Sequence, residues 1–187
     1  TEGAREPLPT PCVTRGGGES MGGALVGSAR RYAEANGFAA KPEQYLAPPA
    51  ASGDISQVLF GLSDASGQSR DPFLTGKLPG LLPAGTFRFA NAPHDMHLAA
   101  LAFALGSYRF DRYRKADVSK ARLVPPAGVD VAAISRLADA APLARDRINT
   151  PATDLGPEGL AAATQPPPCR VAPAAPGASP LRLLAHV

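Results

Sequence analysis

The sequence has no tryptophan, only two cysteines and two methionines, and aromatic residues make up 6% of its 187 positions. A core built from it must rest on Leu, Val, Ile, Ala and a few Phe. Cys12 and Cys169 lie near opposite ends, in segments rich in Pro and small residues, which excludes a disulfide framework or a cysteine-rich metal cluster. They read as free thiols. No stretch approaches the roughly 18–20 uninterrupted apolar residues of a membrane helix, and the opening TEGAREPLPT lacks the basic and apolar halves of a signal peptide. A soluble, cytoplasmic protein with no membrane partner is expected. Charge of one sign is scarce as well: Lys+Arg 19 against Asp+Glu 16 leaves +3, a dispersed excess that demands no polyanionic partner.

What is present is a hydrophobic fraction of 44%, enough for a sizeable core in one domain. Gly 19 and Pro 21 together form about a fifth of the chain, and the prolines gather towards its ends. Residues 1–20 carry Pro7, Pro9, Pro11 and Gly16, Gly17, Gly18 with no period that buries a face, so they read as a disordered leader upstream of Met21. After Thr164 the sequence becomes QPPPCRVAPAAPGASPLRLLAHV. Its prolines withhold the hydrogen bonds of a helix or ladder, so residues 165–187 read as a solvated, disordered tail. The domain is expected over residues 21–164.

Inside those bounds, Leu25, Ser28, Ala29 and Tyr32 fall at helical spacing and Asn36-Gly37 is a stop signal. Gln44 to Ala47 and Gln57 to Leu62 read as strands about the turn-rich PPAASGD, and Ser63 to Pro83 as a long loop. Gly85 to Phe89 alternates like a strand. Asn91 and Pro93 announce a helix through Leu98, Leu101, Ala102 and Leu105, and Lys120 to Val124 is a strand closed by Pro125-Pro126. Val131, Ile134, Leu137, Ala138 and Ala141 begin a last helix towards Asn149, with Pro142 expected to kink or end it. Leu137, Ala144 and Ile148 share a register with Arg147, whose stem is then expected to pack against the sheet. Helices alternate with short strands, so the fold class is α/β.

Few residues look chemical. His94 and His97 are three apart with Asp95 between, a spacing that can aim two imidazoles at one metal, but no third ligand is near and a solvated helix start is the plainer reading. Ser107 to Lys115 (SYRFDRYRK) interleaves aromatics with cations, the composition on which bases stack. Asp111 interrupts it, and rings packed beneath Arg stems explain the same pattern, so nucleic acid is not expected as a partner. Gly16 to Gly23 follows no strand and contains neither GxGxxG nor GK[ST], so it does not read as a phosphate loop. No Gly-x-Ser-x-Gly elbow and no Cys beside a His equips the chain for nucleophilic catalysis.

Three stretches taken together resemble a known family. They are FGL at Phe60 to Leu62 with DPFLTGKLPGLLPAGTFRFANAP from Asp71 to Pro93, LAALAFALGSYRFDRYRK from Leu98 to Lys115, and ARDRINTPATDLGPEGLA from Ala144 to Ala161. The family is that of the leucyl aminopeptidases, metallo-exopeptidases whose Ala-Arg-Asp-Leu-Ile-Asn-Thr-Pro-Ala-Asn-Asp-Met-Gly-Pro run leads into the catalytic lobe. The likeness spans about Leu25 to Ala163 and is to the N-terminal lobe only. It implies a macro-like, three-layer α/β/α domain with a mixed sheet.

For the whole family the resemblance implies a cytoplasmic, two-lobed enzyme that removes N-terminal residues from peptides with two divalent ions, zinc or manganese. Those ligands belong to the second lobe, and neither the Asp-Thr-Gly-Gly turn nor the Asn-Thr-Asp-Ala-Glu-Gly-Arg segment occurs here. No catalytic, cofactor-binding or metal residue is therefore assigned to this chain. It is expected to be inactive alone and to form homo-oligomers only with the catalytic lobe. The Asn149 to Pro151 run is implied to be a structural lead into that lobe.

The chain also departs from the family. Pro142 interrupts a helix, Arg147 stands where Ala-Arg-Asp-Leu has its apolar residue, Thr153 replaces Asn, and the proline-rich tail replaces a strand and helix. A frameshift or truncation near Gln165 would account for the last departure. The alternative function is a stand-alone macro-like module that holds a nucleotide or nucleic acid through Tyr108 to Lys115. It rests on fold analogy, and salt-dependent oligonucleotide binding would single it out.

Overall fold

The computed structural model describes residues 7–10, 12–14, 27–62, 71–91, 95–114 and 120–164. Its strands are β1 (Leu8–Thr10), β2 (Cys12–Thr14), β3 (Tyr45–Leu46), β4 (Leu59–Leu62), β5 (Gly85–Phe89) and β6 (Ala121–Leu123). Its helices are α1 (Ser28–Ala35), α2 (Leu78–Leu81), α3 (Met96–Gly106), α4 (Val131–Asn149) and α5 (Pro157–Thr164). Parallel pairs β1–β5 and β5–β6 make one sheet, and β2–β4 parallel with β3–β4 antiparallel make the other. β1 and β2 are separated by one residue, and the Val58 N–H donates to the Pro9 carbonyl at 3.0 Å. Residues 8–10 thus lie between β5 and Val58, the residue that precedes β4, and so link the two sheets.

This corrects the reading of residues 1–20 as a disordered leader: six of them are strand. Leu8 stands opposite Phe87 and Thr10 opposite Phe89, and Thr10 is 1% exposed. The prolines hid this because they signal a break. Yet Pro9 turns its carbonyl towards Val58 on the β4 side, while the Thr10 carbonyl accepts from Ala90 on the β5 side at 3.2 Å. A residue's N–H and C=O point to the same edge, so Pro9 lacks a donor on one edge only.

β4 is buried along its whole length because successive side chains point to opposite faces and both are covered. Leu59 packs in one cluster with Ala29 and Ala33 of α1, Phe38 and Ala40. Val58, Phe60 and Leu62 face the larger cluster with Leu74, Leu78, Phe87, Phe103, Leu123 and Ile134. Helices lie on both sides of a mixed sheet, which is the expected α/β/α layering. Gly61 is confined here, since a Cβ on it would collide with the Lys41 carbonyl oxygen.

α1 ends as its Asn36-Gly37 pair requires. Gly37 has φ +63°, Phe38 N–H reaches back to the Ala33 carbonyl at 2.9 Å and Gly37 N–H to Glu34 at 3.1 Å, a Schellman closure. The expected loop from Ser63 to Pro83 is a second correction within its described part: Leu74–Lys77 is a 3₁₀ turn that runs directly into α2. Leu74, Leu78 and Leu82 are buried at i, i+4 and i+8, a helical period that Gly76, Pro79 and Gly80 obscured. Pro79 falls in the first turn, where no intrahelical N–H is needed. This unit packs on α3: Thr75 Oγ1 donates to the Ala99 carbonyl at 3.1 Å, and a Cβ on Gly106 would strike the Gly76 carbonyl oxygen.

α3 is capped by Asp95, whose Oδ1 accepts from the N–H groups of His97 (2.8 Å) and Leu98 (3.0 Å). The start signal is therefore this carboxylate rather than Asn91 or Pro93. α4 is capped by Asp130, which accepts from Ala133 N–H at 2.9 Å, and continues past Pro142 to Asn149. It buries Ile134, Ser135 and Ala138. Leu137 and Ile148 are 50% and 80% exposed, so the register expected to pack on the sheet faces outwards. No described helix is long and apolar enough to cross a membrane, and the expected tail, 165–187, lies outside the described residues.

Candidate functional site

A cluster of polar side chains lies where α4 ends. The turn after α3, from Ser107 to Arg114, bonds to the last turn of α4 and to the Thr150–Leu155 turn. Tyr108 Oη donates to Asp146 Oδ1 at 2.7 Å and accepts from Asn149 Nδ2 at 3.2 Å. The Arg145 guanidinium stands 5.4 Å from the centroid of the Tyr108 ring and donates to the Leu105 carbonyl at 2.9 Å. Tyr113 Oη donates to Asp154 Oδ2. Its ring meets Phe110 edge to face at 5.8 Å and the Arg112 guanidinium at 5.7 Å.

Thr150, 8% exposed, closes α4 by donating from Oγ1 to the Asp146 carbonyl at 2.6 Å and accepts from Arg112 Nη1 at 3.3 Å. Pro151 then folds the chain back, its carbonyl accepting from the N–H groups of Asp154 and Leu155 at 3.0 Å each. The Asn149 to Pro151 run thus ends α4 and turns the chain.

Electrostatically the junction holds its phenols neutral. The Tyr108 hydroxyl is raised above its ordinary value, first by partial removal from water and then by the Asp146 carboxylate beside it. The Tyr113 hydroxyl is raised chiefly by its hydrogen bond to Asp154. A carboxylate that accepts from a phenol favours the protonated phenol, so both bonds persist to alkaline pH.

Arg147 is the centre of the junction that the sequence did not place. It is half-buried, donates from Nη1 to the Leu143 carbonyl at 2.7 Å and from Nη2 to the Ala163 carbonyl of α5, and keeps a buried Nε without an acceptor. The expectation that its stem packs on the sheet is corrected: it bridges two helices instead. A shallow cleft of about 210 Å³ remains between Arg112, Leu143, Asp146, Arg147, Leu155 and Ala163.

The arrangement is a mechanical joint. Asp146 and Asp154 are each taken by a phenol. In the aromatic-basic run the Tyr108 and Tyr113 hydroxyls are bonded to acids and their rings meet Arg145 and Arg112, while Phe110 meets Tyr113, and Arg109, Arg112, Tyr113 and Arg114 stay exposed; Lys115 lies outside the described residues. His97 is half-buried in the first turn of α3, and His94 lies outside the described residues. Among the described residues no three His, Cys, Asp or Glu side chains come together as a metal would require.

Residues 23–126, more than half of the chain, match the model of the M17 aminopeptidase N-terminal domain. The fold is similar to that of a cytosol aminopeptidase from Coxiella burnetii, with TM-score 0.72 and 28% identity over 87% of this chain and 35% of that one. It is also similar to a bottromycin maturation enzyme, BotP, in complex with Mn, with TM-score 0.59 and 27% identity over 83% of this chain and 34% of that one. A tomato leucine aminopeptidase variant, at 16% identity and TM-score 0.58 over 84% of this chain and 38% of that one, shares the fold. Among curated proteins nothing matches. The chain thus spans about a third of the length of the solved structures it resembles, and it belongs to the M17 aminopeptidase family, of which it carries the N-terminal domain.

Proposed function

We propose that this chain serves as the N-terminal lobe of a cytoplasmic enzyme that trims residues from the N-termini of peptides, and that it has no peptidase activity alone. The observation that carries this is the match of residues 23–126 to the M17 aminopeptidase N-terminal domain, together with a likeness that covers 87% of this chain and 35% of a cytosol aminopeptidase. In this reading the lobe's task is to fix how the chain leaves the domain: Tyr108, Tyr113 and Arg112 hold the end of α4, and Arg147 holds α5.

The family's pair of divalent ions, zinc or manganese, would polarise the scissile carbonyl and activate water. The residues described here do not fit such a centre, which needs several carboxylates around two adjacent ions, so no step of hydrolysis is derived through them. BotP was solved with Mn, which supports a divalent metal for full-length relatives.

Competition titration of the full chain with a metal indicator tests this reading. No stoichiometric site tighter than about 1 µM for Mn²⁺ or Zn²⁺ is expected, since structural zinc wants four ligands and catalytic zinc three. Tight one-to-one binding lost on His97→Ala would contradict it.

A further inference from the structure

Asn36 and Gly37, which end α1, are both exposed to water. Glycine has no Cβ to shield its backbone nitrogen or to restrict its rotation, so an Asn-Gly link is where an asparagine side chain is most open to attack by its own main chain. The Gly37 nitrogen, giving up its proton to solvent, bonds to Cγ of Asn36. The Cγ–Nδ2 bond breaks, ammonia leaves with a proton from water, and a five-membered succinimide remains. Water then opens the ring at one of its two carbonyls. Opening at the main-chain carbonyl leaves isoaspartate, with the chain routed through Cβ and Cγ, and opening at Cγ leaves aspartate. Water is the one co-reactant.

The folded chain holds both reacting groups away from each other. Gly37 N–H donates to the Glu34 carbonyl at 3.1 Å, and Asn36 Nδ2 donates to the Tyr32 carbonyl at 2.8 Å. Asn36 has φ −92° and ψ 9°, whereas a flat five-membered ring needs the Gly37 nitrogen aligned with Cβ, a large rotation of ψ away. The next residue locks that rotation: Phe38 N–H donates to the Ala33 carbonyl at 2.9 Å, and its ring is buried with Ala29, Ala33 and Leu59. Gln44 fastens the exit from the other side. Its Nε2 donates to the Gly37 carbonyl at 3.2 Å, and its Oε1 accepts from the N–H groups of Ala39 at 2.9 Å and Lys41 at 3.2 Å.

We propose that Asn36 is a spontaneous modification site gated by α1: it converts to aspartate and isoaspartate when the last turn of the helix opens, and the product keeps that turn from closing again. Either product exchanges the Nδ2 donor for an oxygen facing the Tyr32 carbonyl. Either also puts a negative charge at the C-terminal end of a helix, where the dipole disfavours it. Isoaspartate adds a main-chain carbon between Asn36 Cα and the Gly37 nitrogen, so the donors of Gly37 and Phe38 no longer register with the carbonyls of Glu34 and Ala33. The contact of α1 with Leu59 of β4 is loosened as a result. The proposal does not depend on the aminopeptidase reading.

Peptide mapping by mass spectrometry of the full chain, aged in warm, mildly alkaline buffer with and without concentrated urea, tests it. Asn91 and Asn149, which precede Ala92 and Thr150, serve as internal controls. Asn36 should convert at least about tenfold more slowly in the folded chain than in urea, because only the opened turn reacts. Gln44→Ala should speed conversion in buffer about threefold or more and leave the rate in urea unchanged, which separates release of the turn from any change in intrinsic reactivity. Asn36→Asp, which supplies one product directly, should raise amide exchange at Phe38 about tenfold while α3 keeps its protection. Equal rates in buffer and urea would overturn the proposal. So would a Gln44→Ala rate in buffer equal to the parent's, or unchanged exchange at Phe38 in Asn36→Asp.

Discussion

Arg147 donates from Nη2 to the carbonyl oxygen of Ala163, so a single guanidinium in the last turn of α4 holds the last turn of α5. The cation also sits at the C-terminal end of α4, where the helix dipole favours it.

Arg147→Leu should therefore release α5 rather than tighten α4. Amide exchange should accelerate across residues 157–164 while α3, which is buried from Ala99 to Phe103, keeps its protection. Unchanged exchange in α5, or a raised melting temperature, would show that the bridge is dispensable.

Removal of residues 1–20 should be costly, because it deletes β1 and β2 and uncovers the facing edges of β4 and β5. Loss of about 3 kcal/mol or more is expected from unpaired buried backbone groups and the vacated Thr10 position, a fall of roughly 6–12 °C in a domain of this size. A truncated chain that melts with the full one would restore the leader interpretation.

Gly106 and Gly156 make a controlled pair. An added Cβ at Gly106 meets backbone, the Gly76 carbonyl oxygen, whereas at Gly156 its nearest neighbour is the Ala152 oxygen at 3.9 Å. Gly106→Ala should destabilise by about 1–3 kcal/mol or more through forced separation of α3 from the 3₁₀ turn, and Gly156→Ala by no more than about 0.5 kcal/mol. Denaturant melts of both variants decide it, and equal midpoints would refute the close approach.

The phenol bonds give a pH signature. Both folded-state values lie above the ordinary 10.0 of a tyrosine, so the stabilisation they lend is complete below that value and is lost as pH rises through the raised folded ones. Exchange-independent probes such as limited proteolysis should find the 150–155 turn resistant up to about pH 9.5 and opening above the unfolded value. In Tyr108→Phe with Tyr113→Phe that alkaline opening should vanish, the turn being loose at every pH. A double variant that retains the wild-type profile would contradict the assignment.

Much of the architecture was legible because it rests on period. Leu98, Leu101, Ala102 and Leu105 marked α3, the alternation of Gly85 to Phe89 marked β5, and Val131, Ile134, Leu137, Ala138 and Ala141 marked the start of α4. The losses came where local signals oppose tertiary ones. Pro9 looks like a breaker, yet a proline in a strand withholds only one donor on one edge. Gly76 and Pro79 masked the i, i+4, i+8 spacing of Leu74, Leu78 and Leu82. Pro142 did not end α4, since eleven residues precede it and the polar clasp of Tyr108, Arg145 and Thr150 holds the turns that follow. The junction itself was illegible because its partners, Tyr108 with Asp146 and Tyr113 with Asp154, are some forty residues apart and no local pattern pairs them.

The central claim is that this chain carries the lobe and not the metal chemistry of its family. Release of leucine from leucine amide by the purified full chain, in Mn²⁺ or Zn²⁺ and again after a chelator, tests it most directly. No release above buffer is predicted under either condition. Metal-dependent turnover that coelutes with the chain on a sizing column and is abolished by the chelator would contradict it.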